Sequence, residues 1–332
     1  MIYIGVDISK RSVVAAFPGA KGYRTQEFDN TPSGVRKFIK LLPKDSIVVM
    51  EATGNYCFLL LYLLDKENIG ASLVNPKQIK NFARMMMTVT KTDAKDACLI
   101  AQYGEKMNPA QYKMPPASIL ALKQKRTVLC QLKKQRRATL NLLEAIEVLP
   151  YADKSCVSSL KRTVTFMNKQ IESIEKEIVS VTESEFESLY KRLCTVKGIG
   201  AALATALIIA TGGFTSFSNA KQFSRYIGDC PTVCKSGTSV NIRGSINRNG
   251  DETIRSMLYV ASWSAIRSNA ACKEMYQRLR KEGKSGKLAI VAVSNKLIRQ
   301  CFAVVKNNTT YIDGFVSAKP EPRKLVLDNT KA

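Results

Sequence analysis

Residues 46–54 read SIVVMEATG, an apolar run from Ile47 to Met50 that ends at Glu51 and breaks at Gly54. A short run of this composition suits a strand covered on both faces. The carboxylate that closes it needs a partner, a metal ion or a shifted pKa, because a buried unpaired charge is costly. Outward from it, residues 2–7 (IYIGVD) are a second β-rich run ending in an acid, Asp7, and 12–17 (SVVAAF) reads as its hairpin partner. Residues 33–42 have helical spacing behind a serine, a helix follows over roughly 56–67, and ASLVN (71–75) reads as a strand ended by Pro76. A helix from about 92 to 104 carries KTDAKDA (91–97), with Thr92 as its N-cap. This order predicts an α/β domain over 1–112.

From residue 113 the pattern changes. Leu160, Val164, Met167, Ile171, Ile174, Ile178 and Val181 recur at alternating steps of four and three, an a/d seam that predicts a coiled coil or an antiparallel helical hairpin. Leu122, Leu129, Leu132, Leu143 and Ile146 fit the same register on the preceding helix, and Pro150 separates the two. The expected organisation is a basic helix and coiled-coil hairpin over 113–192, a mainly α C-terminal domain over 193–318, and a loose tail over 319–332.

Two global properties narrow the chemistry. Net charge is +24 in 332 residues, which favours a polyanionic partner. The chain has no histidine, so Ser-His-Asp and Cys-His chemistry, histidine general bases and histidine-ligated zinc are excluded. The nine cysteines are scattered, with only Cys230 and Cys234 close together, which predicts reduced thiols in a cytoplasm. No apolar run suggests a membrane span, and Asp7 and Lys10 come too early for a secretory leader.

Asp7 and Glu51 end strands, while Asp93 and Asp96 stand at i, i+3 on one helix face. Strand ends in an open sheet converge on one edge, where a packed helix can add its own acids. Four such carboxylates can hold two Mg²⁺ ions about 3.5–4 Å apart, the arrangement that activates one oxygen and stabilises another in phosphoryl transfer. Singly, each acid has a plainer role. An aspartate at a strand end satisfies turn amides, and acids in a first helical turn gain roughly 0.3–1 kcal/mol from the helix dipole.

IGVDISK, VVMEATGNY, NPKQIKNFAR and KTDAKDA resemble, in order and spacing, the RuvC-like (RNase H-like) N-terminal domain of DEDD-type insertion-sequence transposases and Piv-like DNA invertases. The resemblance continues through VKGIG, SGTSV, INRNGDETIRSMLY and LRKEGK, nearly the whole chain. It implies that Asp7, Glu51, Asp93 and Asp96 are a catalytic, metal-binding tetrad with Mg²⁺ as cofactor. It further implies a mobile-element recombinase that cuts and rejoins donor and target DNA under the guidance of a bridge RNA. Such a protein is expected to act as a homodimer or homotetramer at the nucleoid, in a prokaryotic cytoplasm. The family also uses a serine of the C-terminal domain to attack DNA. Ser236, followed by Gly237, aligns best with the family's Ser-Gly, and Ser239 and Ser245 are alternatives. Lys235, Arg243 and Arg248 stand near enough in sequence to bind phosphate oxygens. Taken alone, SGTS (236–239) reads as a turn.

Lys123, Lys125, Arg126, Lys133, Lys134, Arg136 and Arg137 lie in a stretch, 107–143, that contains no acid. One-sign helices of this kind bind a nucleic-acid backbone by counterion release and contact phosphates rather than bases. VKGIG (196–200) suits either a helix-hairpin-helix grip on phosphate or a packed tight turn, and LRKEGKSGK (279–287) either a phosphate contact or a loop. Met257, Tyr259 and Trp263 follow helical spacing and predict core. Three other functions compete. GVDISK echoes the first phosphate loop of actin-like sugar or acetate kinases, but no second glycine-rich loop follows residue 112. A non-catalytic nucleic-acid scaffold would tolerate Glu51→Gln, and a Piv-like invertase would work without a guide.

Overall fold

The computed structural model describes residues 1–315 except 21, 89, 91, 232–233, 237–239, 243–245 and 247–249, and gives backbone alone for 234–236 and 240–242. The expected tail over 319–332, together with Ser239, Ser245, Arg243 and Arg248, lies outside the described residues. The chain divides once, into Met1–Pro115 and a second unit that begins at Pro116.

In the first unit a five-stranded mixed sheet has the order β3-β2-β1-β4-β5. β1 (Ile2–Ile8) pairs antiparallel with β2 (Ser12–Gly19) and parallel with β4 (Ser46–Glu51). β4 in turn pairs parallel with β5 (Gly70–Val74). β3 (Gly22–Asp29) closes the outer edge antiparallel to β2 and was not foreseen. Its residues are exposed or half-buried except Phe28, so it lacks the apolar signal that marks the inner strands.

Helices cover both faces, which explains the unbroken apolar run of β4. On one face α1 (Pro32–Lys40), capped by Thr31, and α2 (Phe58–Lys66) enclose Ile4, Val6, Val48, Met50 and Leu60. On the other, α3 (Pro76–Met85) and α4 (Asp93–Met107) bury Tyr3, Ile47, Val49, Phe82 and Ile100. Pro76 starts α3 rather than merely ending β5: Asn75 accepts a bond from the Lys77 amide, and proline at the first helical position loses no hydrogen bond.

The second unit opens with two long helices, α5 (Ala117–Glu147) and α6 (Lys154–Glu185). Lys125 pairs with Glu177, Lys133 with Glu175 and Lys161 with Glu147, so each step forward on one helix is a step back on the other. They form an antiparallel pair. Ile171 and Ile178 of the expected seam are buried, and Leu160, Val164, Met167, Ile174 and Val181 are half-buried. Ile119, Leu122 and Ile178 belong to the same core as Leu193, Leu207, Phe223, Leu258 and Leu297, so the pair is joined to the C-terminal helices rather than standing apart.

Those helices are α7 (Glu187–Thr195), α8 (Ala201–Thr211), α9 (Ala220–Ile227), α10 (Glu252–Ser268), α11 (Ala270–Lys281) and α12 (Gly286–Lys306). Between α7 and α8 the VKGIG segment is a packed turn, with Val196 and Ile199 buried. Gly198 adopts φ +104°, and a methyl there would come within 2.7 Å of Ala265 Cβ on α10. Trp263 is not core. Ile254, Leu258, Ser262 and Ala265 make the buried face of α10, and Trp263 stands one residue off it, 46% exposed, edge-on to Tyr259. α12 is long and apolar enough to cross a membrane by composition, contrary to the reading of the sequence. Its apolar side, Ile290, Val293, Leu297, Ile298 and Cys301, is buried in the helical core, the usual place for such a helix in a globular unit.

Candidate carboxylate site

The register of the sheet sets the first two acids side by side. Val6 of β1 pairs with Met50 of β4, and Asp7 and Glu51 each follow by one residue. Tyr3 and Gly5 precede Asp7 at the spacing of two that marks one face of a strand, and this is the face α4 covers.

Gly5 decides how closely α4 can lie. A Cβ at Gly5 would fall 2.1 Å from the Ala97 carbonyl oxygen and 2.2 Å from the Ala101 amide nitrogen. At the other end, a Cβ at Gly104 would fall 2.8 Å from Val49 Cγ2 and 2.9 Å from Tyr3 Cδ1. The Tyr3 hydroxyl donates to Asn108 Oδ1 at 2.5 Å just beyond the helix. α4 therefore runs antiparallel to β1 with its first turn toward Asp7. Asp93, Ala97 and Ala101 lie at steps of four, so the stripe that touches Gly5 leads directly to Asp93. Thr92 caps the helix, accepting from the Lys95 amide at 3.3 Å.

The electrostatics record the convergence. Asp7 is pushed up to about 6, first by burial and then by the negative charges of Asp93, Asp96 and Glu51. Asp7, Glu51 and Asp96 are half-buried, and Asp93 is exposed. Asn30, which the sequence reading passed over, helps to hold the strand ends in place. Its Nδ2 donates to the Ser9 carbonyl at 3.0 Å and the Tyr56 carbonyl at 3.1 Å, linking the chain just after Asp7 to the chain just after Glu51. Gly5 could have been found, since a glycine inside a strand pattern marks close backbone approach. Asn30 left no such signal.

Among the described residues no group of three or more acids or thiols is close enough to enclose a metal ion. By donor type alone, carboxylates suit a hard divalent cation. All four side chains offer carboxylate oxygen, and their mutual repulsion at Asp7 is the kind a bound cation offsets. A stability test follows. Above its ordinary pKa near 3.8 the unfolded state releases the Asp7 proton while the folded state keeps it to about 6, so stability falls as pH rises through that window. In EDTA, Asp7→Asn should unfold at higher urea than the parent at pH 7.5, by at most about 3 kcal/mol, and should lose this advantage near pH 4. An equal difference at both pH values would show that the carboxylate charge is not the cause.

In the second unit, β6 (Cys234–Ser236) pairs antiparallel with β7 (Val240–Ile242), with Ser236 opposite Val240. A bridge between Pro231 and Ile246 closes the hairpin below. Ser236 is thus the last residue of β6, and Lys235 precedes it. Two residues before the Pro231 bridge, Asp229 is 4% exposed. Burial pushes its carboxyl up to about 6, against the Ser294 hydroxyl, which donates to Oδ2 at 2.5 Å, and the nearby Arg255 charge.

The basic stretch is less free than its sequence suggested, because α6 supplies the acids that residues 107–143 lack. Lys125 and Lys133 pair with α6 glutamates, and Arg136 donates to Asn168 Oδ1 at 3.0 Å. Exposed pairs of this kind hold weakly, roughly 0–1 kcal/mol each, and can exchange for phosphate. Arg126 is different. It pairs at 2.8 Å with Asp251, side chains 19% and 25% exposed, while Asp251 also caps α10. Lys123, Lys134 and Arg137 are exposed and in no ion pair among the described residues.

Comparison with known proteins places these features in a family. Residues 4–148 match the family model for the DEDD transposase of IS110, and 190–277 that for the transposase IS116/IS110/IS902 family. The pilin gene-inverting protein of Moraxella bovis is 28% identical over 320 residues, covering 93% of this chain and 97% of its own. A probable family 20 transposase of Pseudomonas aeruginosa is 23% identical, covering 84% of this chain and 89% of its own. T. thermophilus RuvC, solved in complex with a Holliday junction substrate, aligns with 34% of this chain and 99% of its own at 11% identity and a TM-score of 0.25. At that score the fold rests on strand order and register, not on the superposition. The two family models together span well over half of the sequence, and the chain belongs to the IS110 transposase family.

Proposed function

We propose that this protein is a divalent-metal-dependent DNA recombinase whose first unit is a RuvC-like nuclease domain and whose second unit supplies a serine nucleophile. The observation that carries this reading is the convergence of Asp93, Asp96 and Glu51 on Asp7 in a transposase-family chain. Asp7, Glu51, Asp93 and Asp96 would hold the cation, Mg²⁺ by the family resemblance and two ions by the number of carboxylates. A bound pair supplies Lewis acidity, activating one oxygen and stabilising another during phosphoryl transfer. Ser236 Oγ attacks the phosphorus of a DNA phosphodiester. An Oγ–P bond forms, the bond from phosphorus to one sugar oxygen breaks, and that oxygen leaves as a hydroxyl carrying the proton the serine loses. The energy of the cleaved ester is kept in the phosphoserine for rejoining. Lys235, Arg243 and Arg248 neutralise the phosphate near the hairpin, while Lys123, Lys134 and Arg137 hold backbone along the long helices. A homodimer or homotetramer, acting in the cytoplasm at the nucleoid, is the assembly the family resemblance implies.

The experiment is a search for a protein–DNA adduct that survives denaturation, made with purified protein, donor and target DNA, and Mg²⁺. Ser236→Ala should abolish it and Ser239→Ala should leave it. Adduct from Ser236→Ala, with none from Ser239→Ala, would move the nucleophile to Ser239.

Guidance by a bridge RNA is part of the proposal, drawn from the resemblance. An unguided inversion reaction is favoured instead by one observation, the end-to-end match to a pilin gene-inverting protein. Co-purifying a discrete structured RNA that is needed for strand exchange selects the first. Full activity after nuclease treatment of the protein selects the second.

A further inference from the structure

Three adjacent methionines, Met85, Met86 and Met87, end α3 with exposures of 65%, 37% and 84%. Exposed apolar side chains occur singly on most surfaces, but three in succession are a small patch. This one is held in place. The Met86 amide bonds to the Phe82 carbonyl at 2.9 Å, the Met87 amide to Arg84 at 3.1 Å and the Thr88 amide to Ala83 at 3.1 Å. Met87 itself sits at φ +52°, which turns the chain sharply at the tip. The rest of α3 is anchored by Ile79 and Phe82, buried against Val74, Leu99 and Tyr103. Rigid anchoring beneath and unbranched apolar chains above describe a projecting wedge.

The surroundings select its partner. α3 carries no acid, and Lys80 and Arg84 are exposed with no ion pair among the described residues. An apolar tip on a cationic stem matches nucleic acid, whose bases are apolar on their faces and whose backbone is anionic. Methionine is among the side chains that insert between base steps. Met87 lies six residues before Asp93, so the tip is at most about 20 Å of chain from the carboxylates.

We propose that Met85–Met87 wedge into a DNA base step beside the carboxylate site and favour unpaired bases there, with Lys80 and Arg84 on the flanking phosphates. This rests on the reading of the protein as a DNA recombinase. The test measures binding of the full-length protein, in EDTA, to a labelled DNA duplex and to the same duplex with a central unpaired bubble. The parent should bind the bubble about tenfold more tightly than the duplex. Met85→Ser/Met86→Ser/Met87→Ser should lose that preference and keep its duplex affinity, and leucine at the same three positions should restore it. A preference that survives in the serine variant overturns the wedge and leaves the recombinase reading standing, as does an equal loss on both DNAs. A changed oligomeric state with unchanged preference also overturns it, assigning the patch to a second copy of the chain. Failure of the parent to bind either DNA overturns the wedge, while the adduct experiment with Mg²⁺ tests the recombinase reading by itself.

Discussion

Glu51→Gln is expected to reduce DNA strand cleavage by roughly 10²–10⁴-fold while leaving DNA affinity within about twofold of the parent. Glutamine keeps the volume and one carbonyl oxygen of glutamate but removes the charge that a cation requires. Glu51 ends β4, half-buried and beside Asp7, so the loss acts on the carboxylate cluster rather than on the sheet. Affinity should survive because the phosphate contacts proposed above, Lys123, Lys134 and Arg137, are exposed basic residues elsewhere in the chain. Single-turnover cleavage of pre-bound DNA separates the two effects. Undiminished cleavage by Glu51→Gln would remove Glu51 from the metal-site assignment.

Gly5→Ala should be the most disruptive one-carbon change in the first unit. The new methyl would meet Ala97 and Ala101 backbone at 2.1–2.2 Å, and neither atom can rotate away as a side chain would. Either α4 lifts from β1 or the sheet bends, at a cost of about 3 kcal/mol or more. Lifting α4 also carries Asp93 and Asp96 away from Asp7, so cleavage should fall even in the fraction that stays folded. Gly200→Ala is a suitable control, because a methyl there meets nothing within 4 Å. Urea unfolding and cleavage measured on both variants would decide the matter. A Gly5→Ala protein as stable and active as the parent would mean that α4 is not seated as described.

Both predictions depend on features of unequal visibility in the sequence. The runs around Ile4 and Val48, and the Thr92 cap of α4, stood out because burial on two faces and capping leave strong local patterns. β3 and α3 did not. An exposed edge strand has no apolar alternation, and Pro76 serves equally as a stop after a strand or the first residue of a helix. Trp263 was misplaced because one residue rotates a helix position by about 100°, enough to move a side chain from core to surface.

The sequence by itself determined which chemistry was open to this protein. Without histidine it is left to carboxylates, hydroxyls, thiols, lysine and arginine, and a net charge of +24 favours a polyanionic partner. Through the resemblance its motifs carry, the sequence also put forward Asp7, Glu51, Asp93 and Asp96 as candidates. What only the tertiary structure decided is how those charges are spent. The β1–β4 register and the bare Gly5 backbone bring three acids to bear on Asp7, while Asp251 on α10 and glutamates on α6 engage Arg126, Lys125 and Lys133. A charge on a sequence is only a residue type. Its pKa and its availability to a ligand depend on which other charges, distant along the chain, the fold sets within a few ångströms of it.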